Sequence, residues 1–435
     1  SQINAKLLRH PDVSNDQICF VYGGDVWIVS KNGGTAQHLS TPVGEELNPR
    51  FSPDGKQIAY TANYHGNSDV FVVNSLGGIP KQMTHHPYGD RVVDWTPDGE
   101  KLLFASMRES GRRRFNQLFL VNVSGGYPEK LPLAYGEQGS YSPDGNSLTF
   151  TTKNLNRSMK RYRNGLSADI WIYDKSSGST ERIEQTDANE AFPMWHENKV
   201  YFISDREENQ RFNIWSFDLT SKETNRITDF SDFDVKYPSI GPKDIVFEAG
   251  GDLYLLDLET EQYKKVDIHV VSDQTKLMPT SKKVNKMIAN ASLSPKANRV
   301  VMEARGELFS LPAKDGYISN LSQSSGSAER YPAWSPDGKY IAYWSDKSGE
   351  YNLYLKDMEN PWKEDRKITS YTSGFYYNLY WSPDSEKIIF VGNSQGVFLL
   401  DVATGNIKKI DQIEYGFSHF WALGFGVNWS SDSKW

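Results

Sequence analysis

The chain has 435 residues and a formal net charge of −7, an acidic balance that argues against nucleic acid as the main partner because phosphate binding needs a basic face. Hydrophobic residues make up 38%, yet no apolar run approaches the roughly 18 residues a spanning helix requires, so no membrane span is expected. The single cysteine, Cys19, excludes an internal disulfide and a thiolate zinc cluster, while 24 Tyr, 21 Phe and 12 Trp favour half-buried pleated surfaces.

The first apolar segments are Gln17–Tyr22, which takes Cys19 into the run Ile18-Cys19-Phe20-Val21, and Asp25–Ser30, followed by the turn Asn32-Gly33-Gly34. They open a repeat of short strand, Pro-Asp-Gly turn, apolar strand, variable loop, apolar strand, glycine turn and short strand. Its clearest copy runs Phe51-Ser52-Pro53-Asp54-Gly55, then Gln57-Ile58-Ala59-Tyr60, Asp69-Val70-Phe71-Val72-Val73, Gly77-Gly78 and Gln82-Met83-Thr84. Further turns lie at Pro97-Asp98-Gly99, Pro143-Asp144-Gly145, Pro336-Asp337-Gly338 and Pro383-Asp384-Ser385. In such a turn proline presets φ, aspartate bonds back to the backbone and glycine accepts positive φ. Asp54, Asp98 and Asp144 are 44 and 46 residues apart, and Asp337 and Asp384 are 47 apart. A period in the forties fits a four-stranded propeller blade.

These marks predict an all-β fold with blades at 6–41, 42–87, 88–134, 135–186, 187–230 and 231–271. The last two lose the Pro-Asp-Gly turn but keep apolar strands. Residues 272–287, polar and lysine-rich, read as a linker. Blades resume at 288–324, 325–371 and 372–416, and another opens at Asn428-Trp429-Ser430. The expectation is a six-bladed β-propeller over 1–271, a linker, and the first three to four blades of an incomplete second propeller over 288–435. Such an arc has unpaired edges, so the chain reads as a fragment.

The opening Leu7-Leu8-Arg9-His10-Pro11-Asp12-Val13 with Asp25-Val26-Trp27 resembles the start of tricorn peptidases. So does Lys160-Arg161-Tyr162-Arg163-Asn164-Gly165 with Asp169-Ile170-Trp171, while Arg299 to Phe309 resembles the first blade of that family's second propeller and Tyr343 to Tyr351 continues the match. The resemblance implies a six-bladed and then a seven-bladed propeller, followed by a catalytic serine-peptidase region interrupted by a PDZ domain. It implies that the propellers select and channel peptides for a protease core absent from this chain, in a hexameric assembly, with no cofactor and no metal. The catalytic residues of the family have no counterpart here. Bacterial relatives favour a periplasmic or exported location. The rival readings are a TolB-like binding module for a protein partner and the propeller of a prolyl-oligopeptidase-like hydrolase.

The candidate peptide contacts are basic. Arg112, Arg113 and Arg114, with Arg108, occupy a loop between the second and third strands of the third blade, and Arg91 sits in the loop entering that blade's innermost strand. Arginine forks match carboxylates bidentately. The resemblance links a pair of arginines near Arg91 to a peptide's C-terminal carboxylate; this chain keeps one of them. Arg161 and Arg163, in the long fourth-blade loop, complete the set. Gly392-Asn393-Ser394-Gln395-Gly396 fits Gly-x-Ser-x-Gly but falls between two blade strands, so it reads as a hairpin loop rather than a nucleophile. His85-His86 read as loop residues, and Asp229, Asp232 and Asp234 lack the glycine and closing glutamate of a calcium loop.

Overall fold

The computed structural model describes residues 2–40, 43–111, 115–155, 163, 167–271, 281–412 and 427–435. Among them there is no α-helix, and so none long and apolar enough to cross a membrane. The described residues divide into two compact units, 2–155 with 167–271, and 163 with 281–412 and 427–435.

The Pro-Asp-Gly turns close as their chemistry predicts. Ser52 Oγ donates to Asp54 Oδ1 at 2.7 Å, the amide of Lys56 donates to the same oxygen at 3.1 Å, and the amide of Gln57 donates to Ser52 Oγ at 3.0 Å. Gly55 supplies the required φ of +71°. The pattern recurs at Thr96–Lys101, Ser142–Ser147, Ser335–Tyr340, Ser382–Lys387 and Ser430–Trp435. The serine or threonine hydroxyl and a backbone amide hold Asp54, Asp98, Asp144, Asp384 and Asp432 below the usual carboxylate range.

Each of these turns except Ser430–Trp435 joins the first two strands of an antiparallel sheet. In the first unit, five four-stranded sheets start with Glu46–Phe51, Asp90–Trp95, Gln138–Tyr141, Glu190–His196 and Lys236–Ile240. A sixth sheet, first in the chain, runs from Arg9–Val13 through Gln17–Tyr22 and Asp25–Ser30 to Gly34–His38. The second and third strands are apolar because both faces are covered. Ala59, Val70 and Val72 of one sheet meet Val92, Leu102, Phe104 and Phe119 of the next in a single cluster. Each starting strand packs on the next around the unit, and Lys236–Ile240 packs back on Arg9–Val13. Outer strands such as Lys81–Gln82 and Glu129–Lys130 are only two residues long, which limits the exposed edge.

One strand departs from the sequence reading. Ile268–Val271, assigned to the sixth repeat, pairs in parallel with Gly34–His38 of the first sheet, and Gln2–Asn4 pairs antiparallel outside it. Ile268 and Val270 are drawn there by burial against Ala36, Val29, Trp27 and Phe20.

In the second unit, three four-stranded sheets start with Ile288–Leu293, Glu329–Trp334 and Tyr376–Trp381. Trp344, fully buried between the last two, donates its indole N–H to Tyr377 O at 2.9 Å and stacks on Tyr376. Trp381 Nε1 donates across sheets to Ala333 O at 3.1 Å, and one repeat later Trp429 Nε1 donates to Tyr380 O at 3.1 Å. Residues 427–435 thus dock on the last sheet as each starting strand docks on its predecessor.

Candidate functional site

The starting strands of the first unit face one another around its axis, and five of the six depart from regular pleating there. Their pairing shifts register between Arg9 and Asp12, Leu47 and Arg50, Ala191 and Met194, and Lys236 and Ser239, with positive φ at His10, Asn48, Phe192 and Tyr237. A further shift falls between Val92 and Asp94. Bulges re-aim side chains, and left-handed backbone at non-glycine residues is a strain that clusters at functional places. At Gly139 the backbone comes close instead: a Cβ would lie 2.9 Å from the Thr149 carbonyl oxygen.

These strands enclose a small axial cavity of about 50 Å³ that opens to solvent. One wall is apolar, with Phe192, Pro193, Met194, Pro238 and Ile240; the other carries Asn48, Arg50, Arg91 and Asp94. Arg91 Nη2 donates to Glu137 Oε2 at 2.9 Å and to Glu137 O at 2.6 Å. Asn116 Nδ2 steadies the same carboxylate at 3.0 and 2.9 Å. Arg50 Nε donates to Val93 O at 3.2 Å and its Nη1 to Pro49 O at 2.8 Å. Burial pushes the Asp94 carboxyl up to about 7, against the amide of Trp95 and the charge of Arg50, which lower it. Asp12, buried beside Arg50, is also raised by burial; it accepts the Phe51 amide at 2.6 Å and the Ser239 hydroxyl. Burial lowers the Arg91 guanidinium, and Glu137 opposes that shift.

The sequence candidates fare differently. Arg91 lies on the strand Asp90–Trp95 itself and lines the cavity. Arg108 does not join it. Its Nη2 bonds Asp90 Oδ2 at 2.5 Å, and its guanidinium carbon sits 4.9 Å from the Phe104 ring and 5.3 Å from the Phe119 ring. Arg206 repeats that arrangement on Glu190, Phe202 and Trp215, so the motif is a packing device. Arg112, Arg113, Arg114 and Arg161 lie outside the described residues, and Arg163 is half-buried. Ser394 sits in the hairpin between Lys387–Gly392 and Gly396–Asp401. His86 Nδ1 accepts the Tyr88 amide at 3.1 Å. Asp229 accepts the Tyr263 hydroxyl, Asp234 accepts the Phe212 amide at 3.0 Å, and no metal-holding cluster occurs among the described residues. Arg50 and Asp94 escaped the sequence reading, although each directly precedes the aromatic residue, Phe51 or Trp95, that opens a Pro-Asp-Gly turn.

The model of the tricorn protease N-terminal beta propeller domain matches residues 5–262, which is the unit that holds this cavity. The chain belongs to the tricorn protease family. Among relatives of this tricorn-family chain, the tricorn protease homolog of Saccharolobus solfataricus is 26% identical over 431 residues, covering 98% of this chain and 38% of the relative. Tricorn protease homolog 1 of Streptomyces coelicolor is 24% identical, covering 98% of this chain and 40% of the relative. The chain thus spans about two fifths of these proteins. The crystal structure of the tricorn protease superposes with a TM-score of 0.56 at 21% identity, over 95% of this chain and 40% of that one. That likeness establishes a β-propeller fold.

Proposed function

We propose that this chain is the non-catalytic propeller region of a tricorn-like serine peptidase, selecting peptides and channelling them to or from a protease core carried outside these residues. In this reading residues 1–271 form a six-bladed propeller, 272–287 a linker, and 288–435 the first three to four blades of a seven-bladed one. The packing of Lys236–Ile240 back on Arg9–Val13 supports the first ring. Its partners are peptides, the catalytic and PDZ domains of the same polypeptide, and further copies in a hexamer, in a periplasmic or exported location. The observation that carries the proposal is that the family match, 5–262, falls on the unit whose axis holds a cavity with one apolar and one cationic wall. An apolar wall takes side chains and arginine takes carboxylate or carbonyl oxygen. Arg91 is the proposed anchor at the cavity. Arg112, Arg113, Arg114, Arg161 and Arg163 are proposed contacts on the loops.

Fluorescence anisotropy of labelled hexapeptides with the purified chain tests this. Binding that weakens roughly tenfold in Arg91→Gln, about 1.4 kcal/mol, is the expected result. Absence of peptide binding at millimolar concentration would overturn the channelling role.

A further inference from the structure

The connection from the fourth to the fifth sheet, residues 183–189, ends on a charge cluster away from the axial cavity. Glu190 opens the strand Glu190–His196 with its side chain fully buried. Its Oε1 accepts the Thr186 hydroxyl at 2.6 Å and Arg206 Nη2 at 2.9 Å. The same Nη2 bonds Glu184 Oε1, and Glu184 Oε2 accepts the Thr224 hydroxyl at 3.0 Å. Arg182 bonds Asp169 and donates to Thr186 O at 3.0 Å. Three carboxylates thus lean on two guanidiniums, and two of the three share one nitrogen. Glu190 Oε2 is buried with no hydrogen-bond partner among the described residues. A bare charge stranded there is costly, and an uncharged O–H far less so.

We propose that Glu190 is a proton-operated latch on the seam between the fourth and fifth sheets: a proton on Oε2 keeps the head of the strand Glu190–His196 seated, and its loss to solvent lets that head open. With the proton on, the two guanidiniums balance Glu184 and Asp169, and Glu190 Oε1 still accepts Thr186 and Arg206. With the proton off, Glu184 and Glu190 compete for one Arg206 nitrogen and the cluster carries one negative charge too many. The seam itself is made by the same strand, whose Phe192 and Trp195 amides donate to Gln138 Oε1 at 2.8 Å and Ser140 Oγ at 3.1 Å on the fourth sheet. The apolar wall of the axial cavity begins at Phe192, where φ is +55°. Proton loss therefore loosens the strand that supplies that wall.

The direction of the switch follows from the groups around Glu190. Burial raises its carboxyl from the ordinary 4.5 to about 7, and the Glu184 charge adds to the rise against Thr186, Arg206 and Arg182. Asp205, next to Arg206, accepts the amide of Asn189 at 2.9 Å and its side chain at 3.0 Å. Lys153 acts on Asp169, and Asp187 of the connection is exposed. The seated state holds the proton more tightly than the open one. The latch is therefore full below about 4.5, weakens as pH rises and is gone above about 7. The proton belongs to the Glu184–Glu190 pair, of which Glu190 is the fully buried member.

Hydrogen exchange of the purified chain from pH 5 to pH 8, corrected for the intrinsic exchange rate, tests the proposal. The expected result is that protection over Glu190–His196 falls by as much as about tenfold per pH unit between pH 5 and pH 7 and levels off above it. Glu190→Gln keeps an oxygen for Thr186 and Arg206 and flattens this profile. Glu184→Gln removes the competing charge and moves the midpoint to lower pH, a shift that is read even where Glu190→Gln folds poorly. Protection that does not change with pH in the parent chain, an unchanged profile in a folded Glu190→Gln, or an unmoved midpoint in Glu184→Gln overturns the latch. No peptide enters the measurement, so its failure leaves the channelling reading standing, and absence of peptide binding leaves the latch standing.

Discussion

Replacing Arg108 with methionine removes a cation whose side chain is 11% exposed from an Asp90 carboxylate that is fully buried. Asp90 Oδ1 has no other hydrogen-bond partner, and its Oδ2 is held by Arg108. Breaking a buried pair by deleting one member leaves an uncompensated charge and costs about 3–5 kcal/mol. The lost contacts with Phe104 and Phe119 fall within that figure, because methionine refills part of the space against the rings. Hydrogen exchange of the neighbouring strand Lys101–Ser106 reads the loss locally. Protection there falls by about 10²–10⁴ in Arg108→Met. Pairing it with Asp90→Val removes the stranded charge and restores most of the protection. A drop of less than tenfold in the single variant, or a double variant as weak as the single, would refute the reasoning and return Arg108 to the pool of exposed loop arginines.

Further outcomes follow from the same geometry. Burial raises the Asp94 carboxyl from its ordinary 3.8 to about 7, so the protonated form is the one the fold favours. Its stabilising contribution is full below pH 3.8 and is lost as pH rises toward 7. Asp94→Asn should therefore melt above the parent at pH 8 and level with it near pH 4; a constant offset would contradict this. Gly139→Ala puts a Cβ 2.9 Å from the Thr149 carbonyl oxygen and should cost about 1–3 kcal/mol in urea unfolding, whereas no change would show that the strand yields freely. Ala297 holds φ +51° in an exposed turn of the second unit, so Ala297→Gly should stabilise that unit by about 0.5–1 kcal/mol. A lower midpoint for that unit's unfolding transition would be the contrary result.

The sheets were legible because their signals are local. Ser, Pro, Asp and Gly within five residues build the turn, and the apolar runs Val200 to Ile203 and Leu253 to Leu256 mark strands even where the turn is lost. The strand Ile268–Val271 was misassigned because its partner, Gly34–His38, is far away in sequence and pairs in parallel. The cavity escaped for a different reason. The register shifts at Leu47/Arg50 and Val92/Asp94 break the period-two alternation that tells which side chains face inward. Arg108 read as part of a basic loop because Asp90, 18 residues earlier, is its hidden counter-charge.

Peptide turnover by the purified, protease-free chain is the most direct measurement. If the propeller region steers peptides while another part of a tricorn-like enzyme cuts them, fluorogenic peptides will bind and stay intact at every pH. Cleavage that tracks the chain through purification would contradict the account.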